Sequence, residues 1–228
     1  MDPDLRRMML AYYDERAPEY EEAYTLGTGT ASISDPNVFI TDIGHLVEVV
    51  ARFGHGELID LGCGTGYWLP HYVGNCSRVT LFDQSKHMLR ECREKVRARG
   101  LDDRCVFIQG DAFDYRFDRN AYDCALLGFL LSHVTEQEEA MLFTSVRRML
   151  RPSGRLLILE SAWTALRVKF NQKVERQARK LNDGTTFDIY KRYIDQADIA
   201  RWSEKYGLIA RVEYFGPALC AVSGSFPD

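Results

Sequence analysis

Much of what would assign this 228-residue chain to a familiar class is missing from it. Its six cysteines (63, 76, 92, 105, 124 and 220) include no C-x-x-C pair, and most sit in or beside apolar runs. Buried free thiols are therefore expected, not a disulfide framework. The five histidines (45, 55, 71, 87 and 133) form no H-x-x-x-H or Cys/His cluster, so no metal site is expected. There is no excess of positive charge: 29 basic against 33 acidic residues leave a net charge of −4, which argues against a nucleic-acid partner. Apolar runs such as Ala125–Leu131 fall far short of the roughly 20 residues that span a bilayer. The acidic opening Met1-Asp2-Pro3-Asp4 has no apolar signal-peptide core. With only 7 prolines and 46% hydrophobic residues the chain reads as an ordinary soluble, cytoplasmic domain.

From Glu57 onward, short β-rich runs alternate with helical periods. Strands are expected at Glu57–Leu61, Arg78–Asp83, Cys105–Gln109, Tyr122–Gly128 and Leu156–Glu160. Ser85 is placed to cap a helix carrying Leu89, Cys92 and Val96, and Thr135 with Glu138 forms a capping box ahead of Leu142, Val146 and Met149. Alternating strands and helices, with continuously apolar strands, predict a doubly wound α/β sheet, mostly parallel and covered on both faces. The flanks differ. Residues 1–53 suggest a helical cap, with helices near Leu5–Tyr13 and after Asp35-Pro36, joined by Gly27-Thr28-Gly29-Thr30. Apolar residues at 163, 166, 170, 174, 178 and 181 predict a helical insertion over Trp163–Leu181. That stretch carries six basic residues and one acidic one, which reads as a solvated helix face. A helix at Gln196–Tyr206 and strands near Ile209–Phe215 and Ala218–Gly224 close the chain. The whole reads as a single domain, divided at 1–53, 55–160, 161–195 and 196–228.

Chemistry gathers at the strand ends. In Leu58-Ile59-Asp60-Leu61-Gly62-Cys63-Gly64-Thr65-Gly66 a buried strand runs into a Gly-rich turn. There the backbone turns sharply and a ligand can approach closely. The spacing is G-x-G-x-G, and Tyr67 stands where a dinucleotide fingerprint wants its third glycine. Asp60 is placed to organise the loop. Asp83, closing the second strand, can accept both hydroxyl hydrogens of a ribose. Asp111, closing the third, can accept from an adenine amino group while Ala112 and Phe113 wall the ring. Three acids beside one Gly-rich loop would repel a pyrophosphate, so a ligand without phosphates fits better.

These pieces resemble the class I S-adenosylmethionine-dependent methyltransferases. The resemblance rests on I-D-L-G-C-G-T-G-Y (59–67), F-D-Q-S-K-H-M-L (82–89), Q-G-D-A-F (109–113), Y-D-C-A-L-L-G (122–128) and R-R-M-L-R-P-S-G-R-L-L-I-L-E (147–160), in the family's order and covering roughly residues 55–160. Tyr12–Tyr20 also looks like the opening of the ubiquinone- or menaquinone-biosynthesis-like, small-molecule branch, where that segment folds over the cofactor. The resemblance implies a seven-stranded Rossmann-like sheet ending in an antiparallel hairpin. It implies S-adenosylmethionine as cofactor, S-adenosylhomocysteine as product, and no metal. Tyr20, Asp60, Gly62, Cys63, Gly64, Gly66, Asp83, Gln84, Met88, Asp111, Ala112, Leu127 and Gly128 would form its site. Leu127-Gly128-Phe129-Leu130 departs from the N-P-P-Y type, which speaks against amide-like nitrogen methylation by that device.

His133, five residues past Gly128, and Glu160, at the end of strand five, are the candidate bases. Tyr13, Arg16, Trp163 and Tyr193 are expected to bind the acceptor, between the N-terminal segment and the insertion. Phe170, Phe187 and Tyr190 add aromatic walls, and Lys191 and Arg192 could meet an acidic or electron-rich acceptor. The partner is then a small molecule, with a homodimer left open. Competing readings are an RNA or protein methyltransferase, supported only by the basic 167–180 stretch, and a non-catalytic cofactor-binding protein. An NAD(P)-dependent oxidoreductase is disfavoured by Tyr67 and the missing Tyr-x-x-x-Lys pair.

Overall fold

A computed structural model of the chain describes residues 1–25, 35–168 and 172–227. Nine strands follow in order: β1 (Gly56–Leu61), β2 (Cys76–Asp83), β3 (Cys105–Gln109), β4 (Tyr122–Gly128), β5 (Leu150–Ser161), β6 (Val174–Lys180), β7 (Thr186–Arg192), β8 (Ile209–Phe215) and β9 (Leu219–Ser225). Seven of them form one sheet in the order β3-β2-β1-β4-β5-β9-β8. The pairs among β1–β5 are parallel, and β9 runs antiparallel to both β5 and β8. The expected doubly wound, seven-stranded, mostly parallel sheet is therefore present, with its closing hairpin.

Helices α1 (Pro3–Arg16), α2 (Glu22–Thr25), α3 (Pro36–Ala51), α4 (Leu69–Tyr72), α5 (Lys86–Ala98), α6 (Glu136–Met149), α7 (Ala165–Val168) and α8 (Gln196–Tyr206) surround it. Local chemistry fixes their starts. The Asp35 side chain accepts from Asn37 N ahead of α3, Ser85 accepts from Met88 N ahead of α5, and Thr135 with Glu138 completes a capping box at α6. Two apolar clusters show why the strands are continuously hydrophobic. Leu58, Leu81 and Leu126 pack toward α3, α4 and α5, whereas Ile59, Ala125 and Ile158 pack toward α6 and α8. The first parallel strands thus end together along one edge, where the acids of the sequence motifs collect.

Two expectations need correction. Strand five begins at Leu150, and Pro152-Ser153-Gly154 arches out of it, because Tyr122 pairs with Leu150 while Cys124 pairs with Arg155. More consequentially, Trp163–Leu181 is not one helix. After the short α7, β6 and β7 form a separate antiparallel hairpin. Apolar positions four apart fit either period, since four is also an even number of strand residues. The hairpin is decided by Asn182-Asp183-Gly184, whose Gly184 takes φ 94°, with Leu181 N donating to Thr185 O at 2.9 Å. Phe170 and the Gly27–Thr30 joint lie outside the described residues.

Candidate active site

The loop after β1 makes the floor of a cleft. Gly62, Gly64 and Gly66 all have positive φ (80°, 54° and 73°), a backbone that side chains rarely adopt. A Cβ on Gly66 would also lie 2.6 Å from Cys92 Sγ, so the loop packs against α5 through the missing side chain. Asp83 closes the loop from β2: its two carboxylate oxygens accept from Gly64 N at 2.9 Å and Ser85 N at 2.8 Å. Burial lifts its carboxyl to about 6 despite those donors. Asp60 lies beneath. It is fully buried, accepts from Tyr72 Oη at 2.7 Å, and is pushed up by burial to about 7. It ties α4 to β1 and orders the loop from behind.

This cleft holds about 920 Å³ of atom-free space, counting the part that opens to solvent. Of the thirteen predicted cofactor residues, Tyr20, Gly62, Gly64, Asp83, Gln84, Met88, Asp111, Ala112 and Gly128 line it. Asp60, Cys63, Gly66 and Leu127 support it without lining it. Phe82, Ser85, Phe129 and Leu130 are lining residues that sequence reasoning did not single out as such. The donor set fits a phosphate-free nucleoside: carboxylates at the ends of β2 and β3 offer acceptors to hydroxyl and amino groups, with apolar Met88, Ala112 and Phe113 for a ring. Among the described residues no cluster of His, Cys, Asp and Glu could hold a metal.

The N-terminal segment covers this cleft. Arg6 of α1 pairs with Glu138 and lies 3.6 Å from Asp111. Asp14 accepts from Ser85 Oγ at 2.5 Å, and Glu21 accepts from Thr65 Oγ1 at 2.7 Å and pairs with Lys95. Tyr13 and Tyr20 thereby reach the sulfonium side predicted for Gly128.

A second compartment, with about 590 Å³ of atom-free space counting the part that opens to solvent, adjoins the first. Tyr13, Tyr20, Phe129 and His133 line both. At that junction Tyr13 Oη lies 2.7 Å from His133 Nε2, and His133 Nδ1 lies 2.9 Å from the Tyr190 carbonyl oxygen. A carbonyl only accepts, so Nδ1 carries the hydrogen and Nε2 accepts a hydrogen bond from the tyrosine hydroxyl. Burial, then Lys191, hold the imidazole well below its usual range, so it is neutral at pH 7. Burial likewise raises Tyr13 well above the ordinary phenol value.

Tyr13, Arg16 and Tyr193 line the second compartment, together with Arg167, Arg179 and Lys191. Trp163 lines neither compartment. It sits against Tyr193, ring centroids 5.7 Å apart. Glu160 also stays out: its carboxylate accepts from Ser132 N at 2.9 Å and Ser161 N at 3.2 Å, beside Lys191. Arg192 points away and pairs with the buried Glu139 of α6. The basic stretch thus contributes inward-facing cations and not merely a solvated face. The Asn-Asp-Gly turn was the available signal for it.

A nucleoside-sized, acid-floored cleft at the switch between β1 and β4 of this sheet is the arrangement expected of a class I S-adenosylmethionine-dependent methyltransferase, and the chain is similar to that family in sequence and fold. A family model described as a methyltransferase domain matches residues 58–154. The ubiquinone/menaquinone biosynthesis C-methyltransferase UbiE of Yersinia enterocolitica is 33% identical over 157 residues, 68% of this chain and 57% of that protein. Its Yersinia pestis (strain Pestoides F) counterpart is 30% identical over 75% of this chain and 64% of its own length, so the chain spans less than two thirds of these curated relatives. Among solved structures, a DhpI-SAM-HEP complex superposes with TM-score 0.80 and 25% identity over 99% of both chains. No helix among the described residues is long and apolar enough to cross a membrane.

Proposed function

We propose that the protein transfers the methyl group of S-adenosylmethionine to a small-molecule acceptor by in-line displacement, releasing S-adenosylhomocysteine. The observation that carries this reading is the pair of compartments meeting at Tyr13, Tyr20, Phe129 and His133: one has the donor set of a nucleoside site, and the other is enclosed by the two flanks. Complexes of a structural relative with SAM and with SAH support the cofactor. When bound, S-adenosylmethionine supplies a methyl already activated on a sulfonium. What remains for the chain is to orient, exclude water and accept a proton where the acceptor carries one.

Asp83 would hold the ribose hydroxyls, Asp111 and Ala112 the adenine edge, and Gly62, Gly64 and Gly128 would let the backbone approach the methionine part. Tyr13, Tyr20 and Arg16 close over the junction. His133 is the proton acceptor: its Nδ1–H is held by Tyr190 O, which turns the basic Nε2 toward Tyr13 and the junction. Glu160 acts instead within the scaffold, fixing the backbone at Ser132 and Ser161. Tyr193 shapes the acceptor compartment and Trp163 buttresses it. Six buried free cysteines suit the cytoplasm.

Thermal unfolding tests the cofactor assignment. S-adenosylmethionine and S-adenosylhomocysteine should each raise Tm while NADH does not, because a ligand specific to the folded state stabilises it by mass action. A shift with NADH alone would point to an oxidoreductase.

A further inference from the structure

From the second compartment we infer that the acceptor is an organic acid, held through its oxyanion by Arg16, Arg167, Arg179 and Lys191. This rests on the methyl-transfer reading for the word acceptor, but the anion site stands on its own geometry. Three guanidinium groups and one ammonium line a pocket whose described lining includes no carboxylate. They come from four separate elements: α1, α7, β6 and β7.

Two of the four are deeply buried, Arg167 at 2% exposure and Lys191 at 6%. Each is oriented by neutral groups. Arg167 donates to the carbonyl oxygens of Ala162 (2.9 Å) and Ala218 (2.8 Å) and lies over the Tyr193 ring at 4.5 Å. Lys191 Nζ lies 3.1 Å from Ser161 Oγ and 5.5 Å from the same ring. Arg16 stacks over Tyr12 and Tyr20 at 5.4 and 5.5 Å.

The carboxylates near this wall are engaged with other donors. Glu160 is taken by two backbone N–H groups. Asp42 accepts from Tyr214 Oη and from Ala218 N and Leu219 N at 2.7–2.8 Å. Glu175, opposite Lys191 in the hairpin register, accepts from Gln172 N and Gln177.

Like charges gathered in a poorly solvated space repel. Burial brings Lys191 down to about 7, Glu160 opposes that, and Arg179, Arg167 and Arg16 each push it further down. A protein gains nothing from such crowding unless a ligand of opposite sign relieves it. A guanidinium presents a planar fork of donors matched to the two oxygens of a carboxylate or phosphoryl group. The aromatic walls of Tyr20, Tyr24, Phe129 and Tyr193 leave room for an apolar body beside the anionic head. Neither a neutral quinol nor a cationic amine would relieve this charge.

Calorimetric titration of the full chain, with and without S-adenosylhomocysteine, tests the assignment. The probes are phenylphosphonate, benzoate and benzyl alcohol, which share a ring and differ in head group. At least one anion should bind about tenfold or more tightly than the alcohol, and which of the two binds better identifies the head group. R179Q should weaken that anion about tenfold, whereas R176Q, exposed on the outer face of the same strand, should leave it unchanged. If neither anion outbinds the alcohol, or R179Q binds the anion as well as the wild type, the inference is wrong. S-adenosylhomocysteine binding, read in the same instrument, is independent. Its loss alongside retained anion binding would sink the methyl-transfer reading and leave the anion site standing.

Discussion

The two compartments that meet at Tyr13 and His133 are assembled in opposite ways. The cofactor cleft draws on consecutive strand ends of one sheet: Gly62 and Gly64 after β1, Asp83 at β2, Asp111 after β3, Gly128 at β4. Each follows an apolar run, buried in β1, β2 and β4 and half-buried in the edge strand β3, so register and position come with the sheet, and the polarity is acidic. The second compartment gathers Arg16, Arg167, Arg179 and Lys191 from segments up to 175 residues apart (191 − 16), and its described lining carries no acid. One half is a property of the fold. The other is grafted on by its flanks.

The largest expected effect lies at the junction. His133→Ala should lower kcat by about 10²–10⁴ while sparing S-adenosylhomocysteine binding, the usual span for losing a proton acceptor. A fall of less than about fivefold would mean that alignment alone carries the rate.

Next comes a contrast between neighbours on β7. Lys191 faces the compartment, but Arg192 is buried against Glu139, which also accepts from Trp202 Nε1 at 3.1 Å and Tyr206 Oη at 2.9 Å. Removing one member of a buried pair strands the other, so Arg192→Met should cost roughly 3 kcal/mol of stability in denaturant unfolding. Stability within about 0.5 kcal/mol of wild type would show that Arg192 is not part of the scaffold.

Asp83→Ala should weaken S-adenosylhomocysteine by about 1.5–3 kcal/mol and leave anion binding in the second compartment intact. The pH dependence sharpens this. Asp83 and Asp60 sit at about 6 and about 7, raised by burial above the unfolded value of roughly 3.9. Between those values the folded state holds protons that the unfolded state has lost. Stability contributed by these two groups therefore falls as pH rises from about 4 to about 7. Cofactor affinity moves oppositely, because an ionised Asp83 is the better acceptor, so it should decline as pH drops below about 6. A flat affinity profile from pH 5 to 8 would separate Asp83 from the ribose.

The smallest effect is expected at Trp163, which supports Tyr193 from outside the compartment. Trp163→Ala should change KM less than about threefold; a larger change would give the insertion a further wall.

The same contrast explains what could be read from the sequence. Glycines, capping residues and acids at strand ends act within a few residues of one another, so the core strands, the helices they cap and Gly62, Gly64, Asp83, Asp111 and Ala112 of the cleft were legible as local pattern, whereas Tyr20, Gln84, Met88 and Gly128 came only with the family resemblance. The second compartment depends on which side of β6 faces inward. Val174 and Ala178, the apolar residues that suggested a helix, are exposed, while Gln177 is buried and Arg179 half-buried. An element whose polar residues face inward inverts the rule that locates a core. Glu160 misled for a related reason: its strand-end position matched that of Asp83, and both carboxylates accept from two backbone N–H groups, but Asp83 lines the cleft while Glu160 is buried behind Ser132 and Ser161 and lines neither compartment.

The central claim is methyl transfer to a small molecule. Incubating the protein with methyl-labelled S-adenosylmethionine and a metabolite extract, then fractionating by size, tests it most directly. The account predicts label in low-molecular-mass product, lost in Asp83→Ala at limiting cofactor. Label confined to RNA or protein, or no transfer by a chain that binds S-adenosylhomocysteine, would contradict it.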